Sequence, residues 1–304
     1  MSSTSATTDS RARRPAIAWD RVVGVGLYHL LALLALFPYF FTWTGLVLAV
    51  LGYTLLAILG INIGYHRLLA HRSLACSKSM EHVLAFLGLQ ALQFGPAYWV
   101  ALHRRHHHLA DRPGDPHTPA DSFFWSHFGW FLSHARSSNR DSALRRYAKD
   151  LMQDRFYIWM EKKGRWFWLI VLSWGVYFAA GWAAKLIGGG TMDEAVRFGA
   201  SLLVWGVFVR TVFVWHVTFS VNSWSHYAGY RSFDTPDDSR NNPLVGLLAH
   251  GEGWHNNHHA NARSARHGLR WWEIDTTWWV IQALASLGLV TDVVVTEPPE
   301  ISST

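Results

Sequence analysis

Thiols are almost absent from this chain. Of its 304 residues only Cys76 is a cysteine, which excludes an internal disulfide and a thiolate-ligated iron–sulfur cluster. Redox chemistry must therefore rest on other ligands, and the 18 histidines are the obvious substitute. A basic repeat with interleaved stacking aromatics is also missing, so a lipid surface explains the formal net charge of +6 better than nucleic acid does.

Aromatic and apolar residues, by contrast, are abundant. The chain has 18 Trp, 17 Phe and 10 Tyr, and half of it is hydrophobic. Such aromatic enrichment is typical of membrane interfaces. The mean hydropathy of only +0.06 averages apolar blocks with a long charged segment, and therefore hides a chain whose polarity is segregated.

Four apolar runs match the length of a bilayer crossing. They predict transmembrane helices over residues 22–41, 45–64, 166–184 and 198–222. A fifth stretch, residues 83–102, is interrupted by two glutamines, a glycine and a proline, and a full crossing there would put the next histidines on the opposite face. We interpret it as an interfacial or re-entrant helix. The fold class is therefore an all-α integral membrane protein, with a soluble helical bundle as the alternative.

The polar segments complete this topology. Residues 1–20 predict a disordered basic tail without the features of a signal peptide, and residues 286–304 predict a C-terminal tail. Between them, residues 21–285 form one domain, whose helical cap comprises residues 103–165 and 223–285. All but three of the 27 Lys and Arg residues fall on the side of the termini and the cap. The positive-inside rule places that side in the cytoplasm.

Histidines recur in this chain at a fixed spacing. Two triplets have members at i, i+3 and i+4, which puts three imidazoles on one face of a helical turn. These triplets are His103, His106 and His107, and His255, His258 and His259. His66 and His71 are five residues apart, about 140° around an α-helix, so each could serve a different ion. Eight imidazoles exceed what one zinc ion uses, and two metal ions fit the count better.

Other residues give weaker signals. Asn222 and His226, four residues apart at the end of the fourth run, are on spacing alone better explained as an interfacial cap and a solvent-facing imidazole. Glu252 is either a carboxylate that orients a ligand histidine or an ordinary interfacial one. The remaining histidines lack a partner at ligand spacing or leave the ligand face, and they are interpreted as structural: His29, His82, His108, His117, His127, His134, His216 and His267.

The three histidine groups resemble the histidine boxes of the integral-membrane fatty acyl desaturases, in particular a bacterial-type member of the stearoyl-CoA (delta-9) branch. The matching stretches are His66-Arg67-Leu68-Leu69-Ala70-His71, His103-Arg104-Arg105-His106-His107 and His255-Asn256-Asn257-His258-His259. Supporting stretches include Asp115-Pro116-His117, Ser126-His127-Phe128-Gly129-Trp130 and Gly251-Glu252-Gly253-Trp254. The resemblance covers about residues 66–275.

The resemblance implies a di-iron site in the cytoplasmic cap. Its ligands would be His66, His71, His103, His106, His107, His226, His255, His258 and His259, with Asn222 acting through a water. The implied reaction is oxygen-dependent removal of two hydrogens from a long-chain saturated acyl substrate, which leaves a cis double bond, expected at delta-9. An unactivated C–H bond needs a redox metal with molecular oxygen as co-substrate, which excludes zinc. Trp99, Trp254 and aromatics of the second and fourth spans are candidates to line the acyl tunnel.

The resemblance also implies partners and a location. Electrons would come from an external carrier of the cytochrome b5, ferredoxin or rubredoxin type and its reductase, and a basic cytoplasmic surface would suit an acidic carrier. The bacterial form indicates a multi-pass protein of the inner membrane.

The chain departs from the animal acyl-CoA enzymes at the head group. It has Phe94-Gly95-Pro96 where they have an Asn-Asp pair, and Ser133-His134-Ala135-Arg136 where they have an Arg-Lys pair. Acyl-CoA and acyl-lipid substrates therefore both remain open. Two other functions also remain: a related fatty acyl hydroxylase or acetylenase, and a non-catalytic membrane metal-binding protein.

Overall fold

The computed structural model describes residues 16–134 and 140–296. Helices dominate this part of the chain. They are α1 (Trp19–Ala32), α2 (Trp43–Leu55), α3 (Lys78–Leu89), α4 (Pro96–Leu109), α5 (Arg140–Tyr147), α6 (Arg155–Glu161), α7 (Arg165–Ile187), α8 (Met192–Leu203), α9 (Arg210–Tyr227), α10 (Pro243–Leu248), α11 (His255–Ala260) and α12 (Thr276–Ser286). Short 3₁₀ segments occupy Leu33–Leu36, Pro38–Phe40, Leu151–Gln153 and Lys162–Gly164. Two short strands, β1 (Ala75–Cys76) and β2 (Val290–Thr291), pair antiparallel.

Four continuous helical segments of the described chain are long and apolar enough to cross a membrane. They are Trp19–Leu36, Trp43–Ala70, Arg155–Ile187 and Met192–Tyr227. The predicted spans therefore exist, but the second and fourth extend past their predicted ends at 64 and 222. Those extensions carry His66 and His226. The all-α membrane class is confirmed, and the side on which the polar part lies stays a prediction.

Large apolar side chains on these segments face outward. Leu36 is 78% exposed and Ile187 is 87% exposed, with Leu172 and Val176 similarly uncovered. A surface of this kind is unusual for a soluble protein and is normal where lipid is the solvent. The soluble-bundle alternative is therefore wrong.

Three parts of the helical segments are π-helical. Leu56–Ala70 continues α2, Val204–Val209 joins α8 to α9, and Trp125–Gly129 forms a separate turn. In a π-helix the hydrogen bonds run from i to i+5, so residues five apart lie near one another. This geometry changes which side chains of the second span share a face.

The predicted interfacial helix over residues 83–102 is divided in two. α3 ends at Leu89 and α4 begins at Pro96, since proline is well placed at the first helical turn but not inside a helix. Arg210, in the fourth span, helps fix the break, because its guanidinium donates to the carbonyl of Gln90 at 3.2 Å. It also donates to Tyr177, as expected for a charge paired inside the bundle.

The predicted C-terminal tail is partly ordered. β2 pairs with β1, and Val294 exchanges backbone hydrogen bonds with Ser73 and Ala265. The first part of the predicted tail therefore packs against the rest of the chain. The predicted N-terminal tail also ends in structure, because Ile17 forms a bridge with Ser133. Residues 1–15 and 297–304 lie outside the described chain.

Candidate metal centre

The nine histidines assemble into two adjacent groups. One group is His66, His71, His103, His107 and His258, and the other is His106, His226, His255 and His259. Within each group the candidate ligand nitrogens all lie within 4.8 Å of one another. Imidazole nitrogens at such distances can converge on one ion, so the arrangement is that of two neighbouring metal sites.

His66 and His71 belong to the same group, and their ring centroids are 4.7 Å apart. The sequence placed them on opposite flanks because it assumed α-helical rotation. That expectation was wrong. The segment is π-helical, and the amide of His71 donates to the carbonyl of His66 at 3.0 Å, which is the i to i+5 bond itself.

Arg104 ties this helix end to α4. Its guanidinium donates to the carbonyls of Leu69 at 2.7 Å and Ala70 at 2.9 Å, and also to the carboxylate of Asp150. These carbonyls lie at the end of the helix and need partners other than helical amides. Arg104 therefore positions the helix end that carries His66 and His71 against the histidines of α4.

The triplet on α4 serves both sites. His103 and His107 face the five-histidine group: Nε2 of His103 lies 2.8 Å from Nε2 of His71, and Nε2 of His107 lies 3.0 Å from Nε2 of His258. His106 faces the other group instead, with its Nε2 3.4 Å from that of His259. One helical face thus supplies ligands to two ions, which explains why the three residues are consecutive neighbours on that face.

Carboxylates hold the outer nitrogen of four of these rings. The Nδ1 to oxygen distances are 2.6 Å for His66 and Glu252, 3.0 Å for His106 and Asp115, 3.1 Å for His226 and Asp111, and 2.9 Å for His259 and Asp237. Such a partner fixes the tautomer and makes the inner nitrogen a better metal ligand. Glu252 is buried and holds Nδ1 of His66, which favours the orienting role over that of an ordinary interfacial carboxylate.

The donor chemistry fits cations between the rings. Both His106 and His259 donate Nδ1–H to a carboxylate, so in their neutral forms both Nε2 atoms present lone pairs, 3.4 Å apart. Two lone pairs cannot hydrogen-bond to one another. A shared positive ion satisfies both, and the same reasoning holds at the other site.

The electrostatics favour the neutral form of six of the nine rings and the ionised form of the four carboxylates, whereas Asp115 raises the pKa of His106 against the effect of burial. Burial lowers the pKa of His258 well below its usual value, and the neighbouring His267 and His66 lower it further. Burial opposes ionisation of Glu252, but His66 and Arg67 outweigh it and hold the pKa of this carboxyl below its usual range. Neutral imidazole is the form that binds a metal.

The segment that carries His255, His258 and His259 is held in place by asparagines and glycines within and beside it. The side-chain oxygen of Asn256 accepts the amides of Ser232 and Phe233 at 2.7 and 2.8 Å, which anchors α11. A Cβ at Gly253 would overlap the backbone of Gly246, and Gly251 adopts a φ of +111°. These two positions therefore require glycine, one for a close backbone approach and one for a left-handed conformation.

A cleft of about 560 Å³ opens from the two sites along the second and fourth spans. It is lined by metal-facing rings and by Asn222, which lies one helical turn before His226, so Asn222 is near enough to take part in the site. Trp99 lines the cleft and stacks on His103 at 5.0 Å, whereas Trp254 is buried against Ile274 instead. Among the cleft-lining residues of the second span, Tyr53 is the farthest from the histidines along the chain.

Sequence reasoning missed two further histidines at the centre. The ring of His117 lies 4.2 Å from that of His106, and the ring of His267 lies 4.5 Å from that of His258, both buried. No histidine at ligand spacing precedes or follows them, so their local sequence carried no signal. The carboxylate partners Asp111, Asp115 and Asp237 were likewise not predicted from the sequence.

The other histidines lie apart from the two groups. His108 is exposed and has Tyr147 as a distant neighbour, and His82 pairs with Asp154 at 2.9 Å. His29, His216 and His127 form a hydrogen-bonded chain between the first and fourth spans and the Trp125–Gly129 turn.

Comparison with known proteins agrees with this geometry. The family model described as "Fatty acid desaturase" matches residues 41–292. This chain belongs to the fatty acid desaturase family. It is 40% identical to the sn-2 palmitoyl-lipid 9-desaturase of Nostoc sp. over 95% of this chain and 94% of that protein. It is also 40% identical to the sn-1 stearoyl-lipid 9-desaturase of Synechocystis sp., over 93% and 81% of the two chains.

Relatives named for another acyl carrier and another double-bond position match as well. An acyl-CoA 5-desaturase of Anemone leveillei is 39% identical over 90% of this chain and 78% of its own length. The family and these relatives make this desaturase an oxidoreductase that acts on fatty acyl chains. Its two histidine groups could each hold a metal ion, which suits membership of this family.

Proposed function

We propose that this desaturase introduces a cis double bond at position 9 of a saturated acyl chain carried on a membrane lipid. The observation that supports it is the pair of neighbouring sites built from neutral nitrogen ligands at the mouth of an apolar cleft. The relatives named as acyl-lipid 9-desaturases support the position and the lipid-bound substrate.

The five-histidine group would hold one iron, and the four-histidine group with Asn222 through a water would hold the other. Bound there, two irons supply the one-electron steps that activate molecular oxygen, which side chains alone cannot do. The protein contributes the positions of the ligands through Glu252 and its counterparts. The walls of the cleft set which carbons lie beside the metals, and holding the reacting atoms in place is itself a large part of the rate enhancement.

The electrons require a partner, for which we propose a small acidic carrier of the cytochrome b5, ferredoxin or rubredoxin type with its reductase. Support comes from α5, which packs on the ligand-bearing α4 and presents exposed Arg145 and Arg146, with exposed Lys149 just after its end. We place this surface, both termini and the metal centre in the cytoplasm, with the spans in a bacterial inner membrane, because the positive residues concentrate there.

Expression in a host that lacks 9-unsaturated fatty acids tests this function. Gas chromatography with mass spectrometry of the extracted lipids should show new 9-unsaturated chains in phospholipid or glycolipid fractions. His107→Ala should abolish the product, whereas His108→Ala, the next residue on the same helix but exposed, should not. Product confined to hydroxylated chains, or unchanged after His107→Ala, would contradict the proposal.

Purified protein distinguishes the carrier of the acyl chain. With a reductant system, stearoyl-phospholipid in vesicles should be desaturated and stearoyl-CoA should not. Turnover of stearoyl-CoA alone would show that the lipid-bound substrate is wrong while leaving the 9-desaturation intact.

A further inference from the structure

Two nitrogen atoms in adjacent buried rings at the metal centre lack a hydrogen-bond partner. They are Nδ1 of His258 and Nε2 of His267. The rings are 4.5 Å apart between centroids and tilted by 44°, and each side chain is 1% exposed. Unpaired buried polar atoms are costly, so two of them in contacting rings call for a physical reason.

The protonation of His258 follows from its other nitrogen. Nε2 of His258 lies 3.2 Å from Nε2 of His66 and 3.0 Å from Nε2 of His107, so it is the atom that faces the ion. A neutral imidazole that ligates through Nε2 carries its hydrogen on Nδ1. His258 therefore presents an N–H donor that needs an acceptor, and metal-ligating histidines almost always have one.

The protonation of His267 follows from Arg67. The NH2 group of Arg67 has two hydrogens, and carboxylate oxygens of Glu252 and Asp275 each lie 3.0 Å from it. Both hydrogens are thus committed, although Nδ1 of His267 is only 3.3 Å away. Nδ1 of His267 is left to donate to Oε2 of Glu252, at 3.5 Å, which makes its Nε2 an acceptor.

The backbone around His267 is fixed independently of its ring. Its amide donates to Asp275 at 2.9 Å, and its carbonyl accepts the side-chain amide of Asn257 at 3.0 Å. Asn257 lies on α11 between His255 and His258. A change of ring at position 267 can therefore be made while these anchors remain.

We propose that His267 is a positioning residue for the metal site: its Nε2 accepts the Nδ1–H of His258, directly or through one water, and its Nδ1 donates to Glu252. Glu252 then orients two ligands of the five-histidine site, His66 by direct contact and His258 through His267. This inference rests on the two-iron centre proposed above and adds to it a residue outside the nine-histidine set.

Three substitutions separate this role from simple packing. In His267→Gln the side chain is long enough to place an amide oxygen at the position of Nε2. In His267→Asn the shorter side chain places its amide at the position of Nδ1 and leaves no acceptor at the position of Nε2. His267→Leu removes both. Iron per chain in purified protein is measured against increasing chelator concentration, Mössbauer spectra are recorded on the iron-loaded protein, and thermal unfolding in detergent shows that each variant is folded.

The expected result concerns one iron of the two. The Leu and Asn variants should release one iron at a chelator concentration about 10- to 100-fold lower than the wild type does, and one of the two Mössbauer signals should change. The Gln variant should behave like the wild type. Folded Leu and Asn variants that keep both irons and both signals would overturn the proposal, as would loss of both irons equally in Gln and Asn. If the wild type desaturates lipid and holds two irons, and the variants behave like it, then this inference alone is wrong. A wild-type chain that holds no iron removes the proposed centre, and this inference with it.

Discussion

Glu252 places a carboxylate oxygen 2.6 Å from Nδ1 of His66 and its other oxygen 3.0 Å from NH2 of the fully buried Arg67. One carboxylate thus couples a metal ligand to a buried cation. One of the three carboxylate partners in the second site is Asp237, 2.9 Å from His259. The two acids provide a matched pair for testing whether the sites are separate.

Glu252→Gln should weaken the five-histidine site selectively. The amide keeps the shape but removes the anionic acceptor, and loss of such a partner typically costs 10- to 100-fold in metal affinity or activity. Asp237→Asn should weaken the four-histidine site by a similar factor. Chelator titration with iron analysis should show one iron lost early in each variant, with different spectroscopic signals affected. Loss of the same signal in both would contradict the division into two sites.

Metal-free protein should lose stability as the pH falls below about 6.5, the ordinary histidine pKa. Burial lowers the pKa of His71, His103, His107 and His255 well below that value, and lowers that of His259 to about 4. Below pH 6.5 the unfolded chain therefore binds protons that the folded chain refuses, so the free energy of unfolding falls until the folded pKa is reached.

Thermal unfolding of chelator-treated protein between pH 8 and about 4 measures this loss. His259→Gln removes one contributing ring and should reduce the slope. A midpoint temperature that is flat through this range would mean that the rings are not buried and neutral in the folded protein.

Tyr53 should limit the length of acyl chain accepted. It lines the cleft 13 residues before His66 on the same helical segment, so it lies several turns away from the metal-facing end. Tyr53→Ala should shift the product distribution towards longer chains, and Ala57→Phe, one turn closer to the metals, should shift it towards shorter ones. Competition assays with mixed chain lengths measure both. Phe213→Ala is the control, because Phe213 contacts the Tyr53 ring at 4.7 Å from outside the cleft lining.

Charge reversal on α5 should slow electron delivery without changing the metal sites. The combined substitutions Arg145→Glu, Arg146→Glu and Lys149→Glu should lower the rate of carrier-dependent turnover. The wild-type rate should fall as the ionic strength rises, because complementary charge speeds the encounter and salt screens it. Chemical reduction of the iron should be unaffected. Lys185→Glu, in the last turn of α7 at the end of the third span, is the matched control. Equal slowing in that variant would argue against a docking surface on α5.

Much of the centre could be predicted from residue spacing. The triplets at 103–107 and 255–259 fall on regular helical turns, and there the rotation of 100° per residue holds. His226 needed the family resemblance, since its own spacing to Asn222 indicated nothing more than a cap. The assignment of ligands to metals stays a prediction until the ions are located.

Residue spacing could not predict the contacts that depend on the long-range fold. Asp237 and His267 reach their partners through loops whose path is set by backbone hydrogen bonds to Asn256 and Asp275. The pairing of His66 with His71 was misjudged for a local reason, because a π-helix has no simple hydrophobic period to distinguish it from an α-helix. The spans themselves were found because lipid imposes a length, but their ends were not, since polar residues there face protein.

The π-helical end of the second span also bears on how this motif can be transplanted. The separation of five between His66 and His71 is matched to one extra residue in the turn, and His71 is hydrogen-bonded back to His66 accordingly. Grafted onto an ideal α-helix, the same two histidines would diverge and bind no common ion. A designer copying this centre must therefore copy the insertion in the backbone along with the side chains, or shorten the separation to four.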